Sequence, residues 1–71
     1  MQDWTLEIAY RCAAEARARV RDQESLVALL WDDNSSRLPL ALEILASLRQ
    51  MQALTDELLA AEAQGMAENA A

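Results

Sequence analysis

Four residues with oxygen-bearing side chains follow one another at the spacing of a calcium-binding loop of the EF-hand kind. The ligand-bearing places of such a loop are occupied by Asp32, Asn34, Ser36 and Glu43. Arg37 stands where the sharp turn of the loop requires glycine, and Pro39 lacks the N–H through which such a loop pairs with a second one. We therefore interpret this stretch as a turn followed by a helix, and we expect neither a metal site nor any other cofactor. A calcium-responsive module on the four residues stays as an alternative hypothesis.

The residues that catalysis requires are missing from the sequence or badly placed in it. Asp32 is followed by Asp33, and Asp56 by Glu57, but neighbouring carboxylates on a helix or turn diverge instead of converging on a cleft. Cys12 is the only cysteine, and the chain has no histidine that would activate it as a nucleophile. We expect Cys12 to be a small buried hydrophobic residue, and we expect no enzymatic activity.

Length and composition indicate one helical domain over residues 1–71. Of the 71 residues, 54% are hydrophobic, and there is one glycine and one proline, which favours long uninterrupted helices. A chain this short buries only about 60% of the surface that it exposes when unfolded, so its own core is marginal. Since one cysteine cannot form an internal disulfide, we expect further stability to come from association with another chain.

The charge of the chain argues against several classes of partner. The sequence contains 12 acidic and 6 basic residues, a net charge of −6, which repels nucleic acid and anionic membranes. Arg17, Arg19 and Arg21 spread around a helix and do not form a basic patch. The N-terminal residues lack the basic start and apolar run of a signal peptide, and no apolar run reaches about 18 residues. We therefore expect a cytoplasmic protein that binds neither nucleic acid nor membranes.

The first helix is predicted at about 4–32. Apolar residues recur there at the heptad spacing of a helix that packs along one face, with Gln23 as the polar member of the line. The apolar members are Leu6, Ala9, Ala13, Ala16, Val20, Val27 and Leu30. Acidic and basic residues alternate about one helical turn apart, which favours an unbroken helix; they are Glu7, Arg11, Glu15 and Arg19. A kink near Asp22, or a break into two helices there, stays open, because the segment 21–25 is polar throughout.

The second helix is predicted at about 37–64, after a turn of Asp, Asn and Ser residues that Ser35 or Ser36 caps. Pro39 marks the start of the helix, because proline is tolerated in its first turn. Gly65 is predicted to end the helix and to leave a frayed tail at about 66–71. So short a connection forces an antiparallel hairpin.

The leucines of the second helix are too many for one face. We expect the seam with the first helix to consist of Leu40, Ile44, Met51 and Leu58. Residues expected to flank that seam are Ala41, Leu48, Leu54 and Leu59. Residues expected to point elsewhere are Leu38, Leu42 and Leu45. A large exposed apolar patch is uncommon on a monomer, so we expect another chain to cover this second surface.

The simplest such assembly is a twofold homodimer of hairpins, which forms a four-helix bundle; a different protein on the same surface is the alternative. The expected interface residues are Tyr10, Leu29, Trp31, Leu38, Leu42 and Leu45. For Trp31 two interpretations stay open: an anchor of that interface, or a residue that closes the end of the hairpin itself.

In architecture, a short acidic hairpin of this length resembles dimeric regulators of the Rop kind and the small two-helix co-chaperones of bacterial type III secretion. Both kinds act by contact and without chemistry. The resemblance covers the helical hairpin and no sequence motif, so it assigns no functional residues. We expect a non-catalytic protein–protein interaction module, an adaptor or inhibitor that modulates a protein partner. The alternative is a chaperone-like subunit of a bacterial secretion system that is stable only with its partner.

Overall fold

Two antiparallel helices form the chain in a computed structural model. The structure describes residues 3–70, and the side chains of residues 5–65. Helix α1 runs over Asp3–Asp32 and helix α2 over Leu38–Ala70, and together they make a hairpin of 55 × 14 × 13 Å. The predicted all-α hairpin and its short connection are confirmed.

Helix α1 is continuous through the polar segment around Asp22. This segment has no glycine or proline to break the helix, and the Ser25 hydroxyl donates a hydrogen bond to the Arg21 carbonyl one turn back, at 3.2 Å. The break into two helices that the sequence left open does not occur. Along the alternating acidic and basic residues that begin at Glu7, the described side chains make no ion pair within 4.0 Å.

The turn ends α1 in a Schellman arrangement centred on Asn34. Asn34 has a φ of 52°, the left-handed conformation that asparagine tolerates better than most residues. Two backbone N–H groups then bond back into the last turn: Asn34 to the Trp31 carbonyl at 3.1 Å, and Ser35 to the Leu30 carbonyl at 2.9 Å. These bonds satisfy carbonyl groups that the end of a helix otherwise leaves unpaired.

Ser35 also prepares the start of α2. Its hydroxyl accepts a hydrogen bond from the Arg37 N–H at 3.1 Å, and its carbonyl accepts one from the Leu38 N–H at 3.2 Å. Pro39 then falls in the first turn of the helix, where its missing N–H costs nothing. The interpretation of residues 38–43 as helix, in preference to an ion-binding loop, is confirmed.

Gly65 does not end α2, contrary to the prediction from the sequence. The helix continues through Gly65 to Ala70, and Gly65 has no positive φ. Glycine ends a helix only where the chain needs a left-handed turn, and no tertiary contact demands one here. The frayed tail predicted at 66–71 falls on residues whose side chains lie outside the described part of the chain, and it stays a prediction.

The core lies between the two helices and is small. The buried hydrophobic residues are Ala9, Ala13, Ala16, Val20, Ala41 and Leu45. The face predicted for α1 is therefore confirmed. Its polar member, Gln23, is half-buried, and its side-chain amide donates a hydrogen bond to the Ala41 carbonyl of α2 at 3.0 Å, so that burying it leaves no unpaired amide.

The seam of α2 is not the one predicted. The residues that face α1 are Leu38, Ala41, Leu45, Leu48, Gln52, Thr55, Leu59 and Glu62, all buried or half-buried. The residues predicted for the seam (Leu40, Ile44, Met51 and Leu58) are exposed. Both sets recur at heptad spacing on neighbouring faces of α2, so periodicity alone does not choose between them. Contacts with α1 decide the rotation of the helix.

Candidate functional site

A line of exposed apolar residues, which we call the outer stripe, runs along α2 beside the seam. It consists of Leu40, Ile44, Ser47, Met51, Leu54, Leu58 and Ala61. Leu40 and Leu54 are 61% and 65% exposed. Because the spacing is again that of a heptad, the stripe has the geometry of a second helix-packing face.

The outer stripe is more apolar than the seam that α2 presents to α1. The second half of the seam includes Gln52, Thr55 and Glu62, whereas the only polar member of the outer stripe is Ser47. A surface helix normally turns its most apolar face inward. Helix α2 does the reverse and leaves its most apolar face exposed.

The opposite side of the hairpin, which we call the ion-pair side, is closed by charges. Arg17 Nη2 lies 3.0 Å from Asp56 Oδ1, and Arg49 Nη2 lies 3.0 Å from Glu24 Oε2. All four side chains are more than one third exposed, so each pair contributes about 0–1 kcal/mol to stability. Both pairs form in the observed register and rotation of one helix against the other.

A shallow groove beside the turn connects α1 to the outer stripe. It has a volume of about 300 Å³ and is lined chiefly by Leu26 and Leu30 of α1 and by Leu40 and Ile44 of α2. Leu26 is 43% exposed. The groove is therefore an apolar recess at this end of the stripe.

Two residues of the predicted interface belong to the hairpin's own seam. Leu45 is 5% exposed and packs between the helices, so its assignment to an external interface is wrong. Leu38 is half-buried on the same line. The observed rotation of α2 carries these leucines inward and turns their neighbours Leu40 and Ile44 outward.

Trp31 and Leu42 lie on the ion-pair side at the turn. Trp31 follows Glu24 by one heptad and Leu42 precedes Arg49 by one heptad, so the register of that ion pair places them across from each other. Trp31 is 66% exposed and Leu42 is 42% exposed. At that exposure Trp31 does not close the end of the hairpin, and its role as an interface anchor stays a prediction.

The remaining predicted interface residues lie apart from one another. Tyr10 is 60% exposed on the ion-pair side, one heptad before Arg17, near the open end of the hairpin. Leu29 is 63% exposed on α1, one heptad after Asp22 and away from Trp31. The predicted set therefore does not form one continuous surface.

The sequence did contain a signal for the correct rotation. Arg17 and Glu24 of α1 are one heptad apart, and Arg49 and Asp56 of α2 are one heptad apart. In an antiparallel pair each of these residues meets one of opposite charge. This match places both pairs on one side of the seam and the outer stripe on the other.

Among the described residues, the side chains that could react or bind a metal do not cluster into one site. Cys12 is exposed, so the expectation of a buried cysteine is wrong; in heptad terms it lies beside the seam, on the helical line of Leu26. Within the described part of the chain, no three acidic or cysteine side chains are close enough together to hold a metal ion. Neither helix, over the residues described, has a segment apolar enough to cross a membrane.

In comparisons with protein-family models, with curated proteins and with solved structures, nothing matched this chain.

Proposed function

We propose that the chain is a non-catalytic protein–protein interaction module, an adaptor or inhibitor that docks on another protein through the outer stripe. The observation that carries this proposal is the inversion of α2, whose outward stripe from Leu40 to Ala61 is more apolar than its inward seam. An apolar face at heptad spacing is complementary to another helix. The exposed fractions of its large residues show that the hairpin itself leaves this face uncovered.

The small core supports the same proposal. Six hydrophobic residues are buried among the described side chains, and four of them are alanine, so the transfer of side chains from water stabilises the isolated hairpin only weakly. Each large aliphatic side chain that a partner covers adds roughly 1.5–3 kcal/mol. Binding and folding are therefore expected to be thermodynamically linked, since a ligand of the folded state stabilises it.

Two occupants satisfy the outer stripe: a second copy, as in the dimeric four-helix bundle expected from the sequence, or a different protein. Light scattering on the purified chain separates them, because a second copy doubles the mass at micromolar concentration. We propose the cytoplasm as the site of action, where the exposed thiol of Cys12 would stay reduced.

The proposal is tested by comparing tagged variants in capture from the native host. The first carries Ile44→Glu and Leu54→Glu on the outer stripe; the matched control carries Tyr10→Glu and Leu42→Glu on the ion-pair side. We expect a partner that binds the native chain and the control but is lost from the outer-stripe variant. Circular dichroism confirms that both variants stay helical. A partner retained by the outer-stripe variant would contradict the assignment of the surface.

A further inference from the structure

The borders of the outer stripe are acidic. On α2, the exposed helical line beside the stripe, on the flank away from α1, reads Glu43, Gln50, Glu57 and Gln64. On the same side of the hairpin, α1 exposes Glu15 and Asp22, with Arg19 between them. Carboxylates therefore border the apolar stripe on both flanks, and the outer flank carries no base.

Three of the six arginines lie on the ion-pair side of the hairpin. Arg17 and Arg49 form the two ion pairs. Arg21 lines a second groove, which lies beside these pairs on the ion-pair side. On the outer-stripe side, Arg37 borders the small groove at the turn. The acidic border is thus a property of one side and does not simply repeat the net charge of −6.

We propose that the outer stripe binds an amphipathic helix of a partner protein whose apolar line is edged by lysine or arginine. This inference rests on the proposed function and names the chemistry of the partner. The stripe from residue 40 to residue 61 is about 30 Å long at 1.5 Å per residue, the length of a helix of about six turns. The groove lined by Leu26, Leu40 and Ile44 takes a large apolar residue of that helix, and the carboxylates of Glu43 and Glu57 select its charge.

A second copy fits the same surface less well. The stripe is centred on Met51, so a twofold partner that runs antiparallel brings Glu43 of one copy close to Glu57 of the other. A parallel partner brings the flank of one copy that carries Glu43 and Glu57 toward the α1 side of the other copy, where Glu15 and Asp22 are exposed. Like charges in such positions oppose association, and two chains of net charge −6 also repel each other at long range.

The test measures binding of two designed helical peptides to the full chain by fluorescence anisotropy at low salt. The peptides share one leucine and isoleucine line at heptad spacing; one has lysine along both edges and the other has glutamate. We expect the basic peptide to bind at least tenfold more tightly, about 1.4 kcal/mol, with the preference shrinking at about 0.5 M salt. In the variant with Glu43→Lys and Glu57→Lys the preference should be lost or reversed. The variant with Ile44→Glu and Leu54→Glu should bind neither peptide.

The possible results separate this inference from the proposed function. Equal binding of the two peptides, with loss of both in the outer-stripe variant, overturns the basic partner and leaves the docking surface standing. A stable homodimer of the native chain that is lost in the outer-stripe variant also overturns the basic partner and keeps the docking surface, with a second copy as its occupant. If the native chain is monomeric and binds neither peptide, both proposals fail. Circular dichroism of each variant ensures that a loss of binding is not a loss of folding.

Discussion

The two sides of the hairpin differ in chemistry: one carries interhelical ion pairs and the other an exposed apolar stripe. The ion-pair side places Arg17 against Asp56 and Glu24 against Arg49 across the helices. The opposite side presents the outer stripe, where Met51 and Leu58 are about half exposed and lie near no interhelical ion pair among the described residues. Charges contribute little energy at a surface but distinguish one register from another. Burial of apolar area contributes more free energy, but it is non-directional and so does not distinguish one register from another.

The polar contacts between the helices form only when the apolar stripe of α2 is exposed. If α2 turned its most apolar face toward α1, the two ion pairs and the bond from Gln23 to the Ala41 carbonyl would be lost. The observed rotation pairs these polar groups within the hairpin and leaves its main apolar surface exposed.

The largest expected effect comes from placing a glutamate at one of two adjacent residues of α2, one buried and one exposed. Leu45→Glu places an unpaired carboxylate in the seam, which costs several kcal/mol and should unfold a hairpin whose own stability is only about 3–5 kcal/mol. Ile44→Glu, one residue earlier on the outer stripe, should leave the helix intact. Far-UV circular dichroism of the two variants checks this. Equal helicity would mean that the seam of α2 is misplaced.

A second experiment compares the apolar character of the two sides directly. A neutral hydrophobic dye should bind along the outer stripe, so Met51→Gln with Leu54→Gln should remove most of its fluorescence. Trp31→Gln with Leu42→Gln, which removes apolar area from the ion-pair side, should remove much less. Fluorescence titration of both double variants against the native chain makes the measurement. A greater loss from the second variant would make the ion-pair side the main apolar surface.

A smaller effect is expected beyond the end of the outer stripe. Gly65 follows Leu58 by one heptad, lies within α2, and has open space within 4 Å of where a Cβ would stand. Gly65→Ala should therefore stabilise the chain by about 0.5–1 kcal/mol, seen as a higher urea midpoint with an unchanged slope. The reverse exchange at exposed Ala61, Ala61→Gly, is the matched control and should destabilise by a similar amount. A fall in stability on Gly65→Ala would show that the helix does not continue through this residue.

The smallest effect is expected for the ion pairs themselves. A double-mutant cycle of Glu24→Gln and Arg49→Gln should give a coupling of about 0.2–1 kcal/mol, measured by urea unfolding. The coupling should vanish at about 1 M salt, where charges this exposed are screened. Exchanging the two charges, with Glu24→Arg and Arg49→Glu together, should restore most of it. A coupling that ignores salt would point to packing and not to charge.

Much of the fold could be predicted because its signals are local. The heptad line from Leu6 to Leu30 assigned the packing face of α1 correctly, and the proline at position 39 marked the start of α2 within one residue. The serine and asparagine residues of the turn form the hydrogen bonds that such residues usually form there. These features depend on conformational and hydrogen-bonding preferences of a few neighbouring residues, which can be predicted from the sequence.

The site was harder to predict because α2 has two apolar lines on neighbouring faces. Periodicity scored the line through Ile44 and Met51 as the seam, since it is the more apolar of the two. It therefore placed Leu45 outside, although Leu45 is buried. Cys12 was misplaced for a similar reason: it lies close to the apolar line of α1, but α2 does not extend far enough around α1 to cover it.

The sequence by itself determined that this protein is a hairpin of two long helices with more apolar surface than the hairpin can bury, because helix propensity, capping and composition act locally. Only the tertiary structure decided which apolar line of α2 faces α1. That choice depends on contacts between residues far apart in the chain, Arg17 with Asp56, Glu24 with Arg49 and Gln23 with Ala41. All three contacts form in the observed rotation of α2, in which Leu45 is buried and the outer stripe, from Leu40 to Ala61, is exposed.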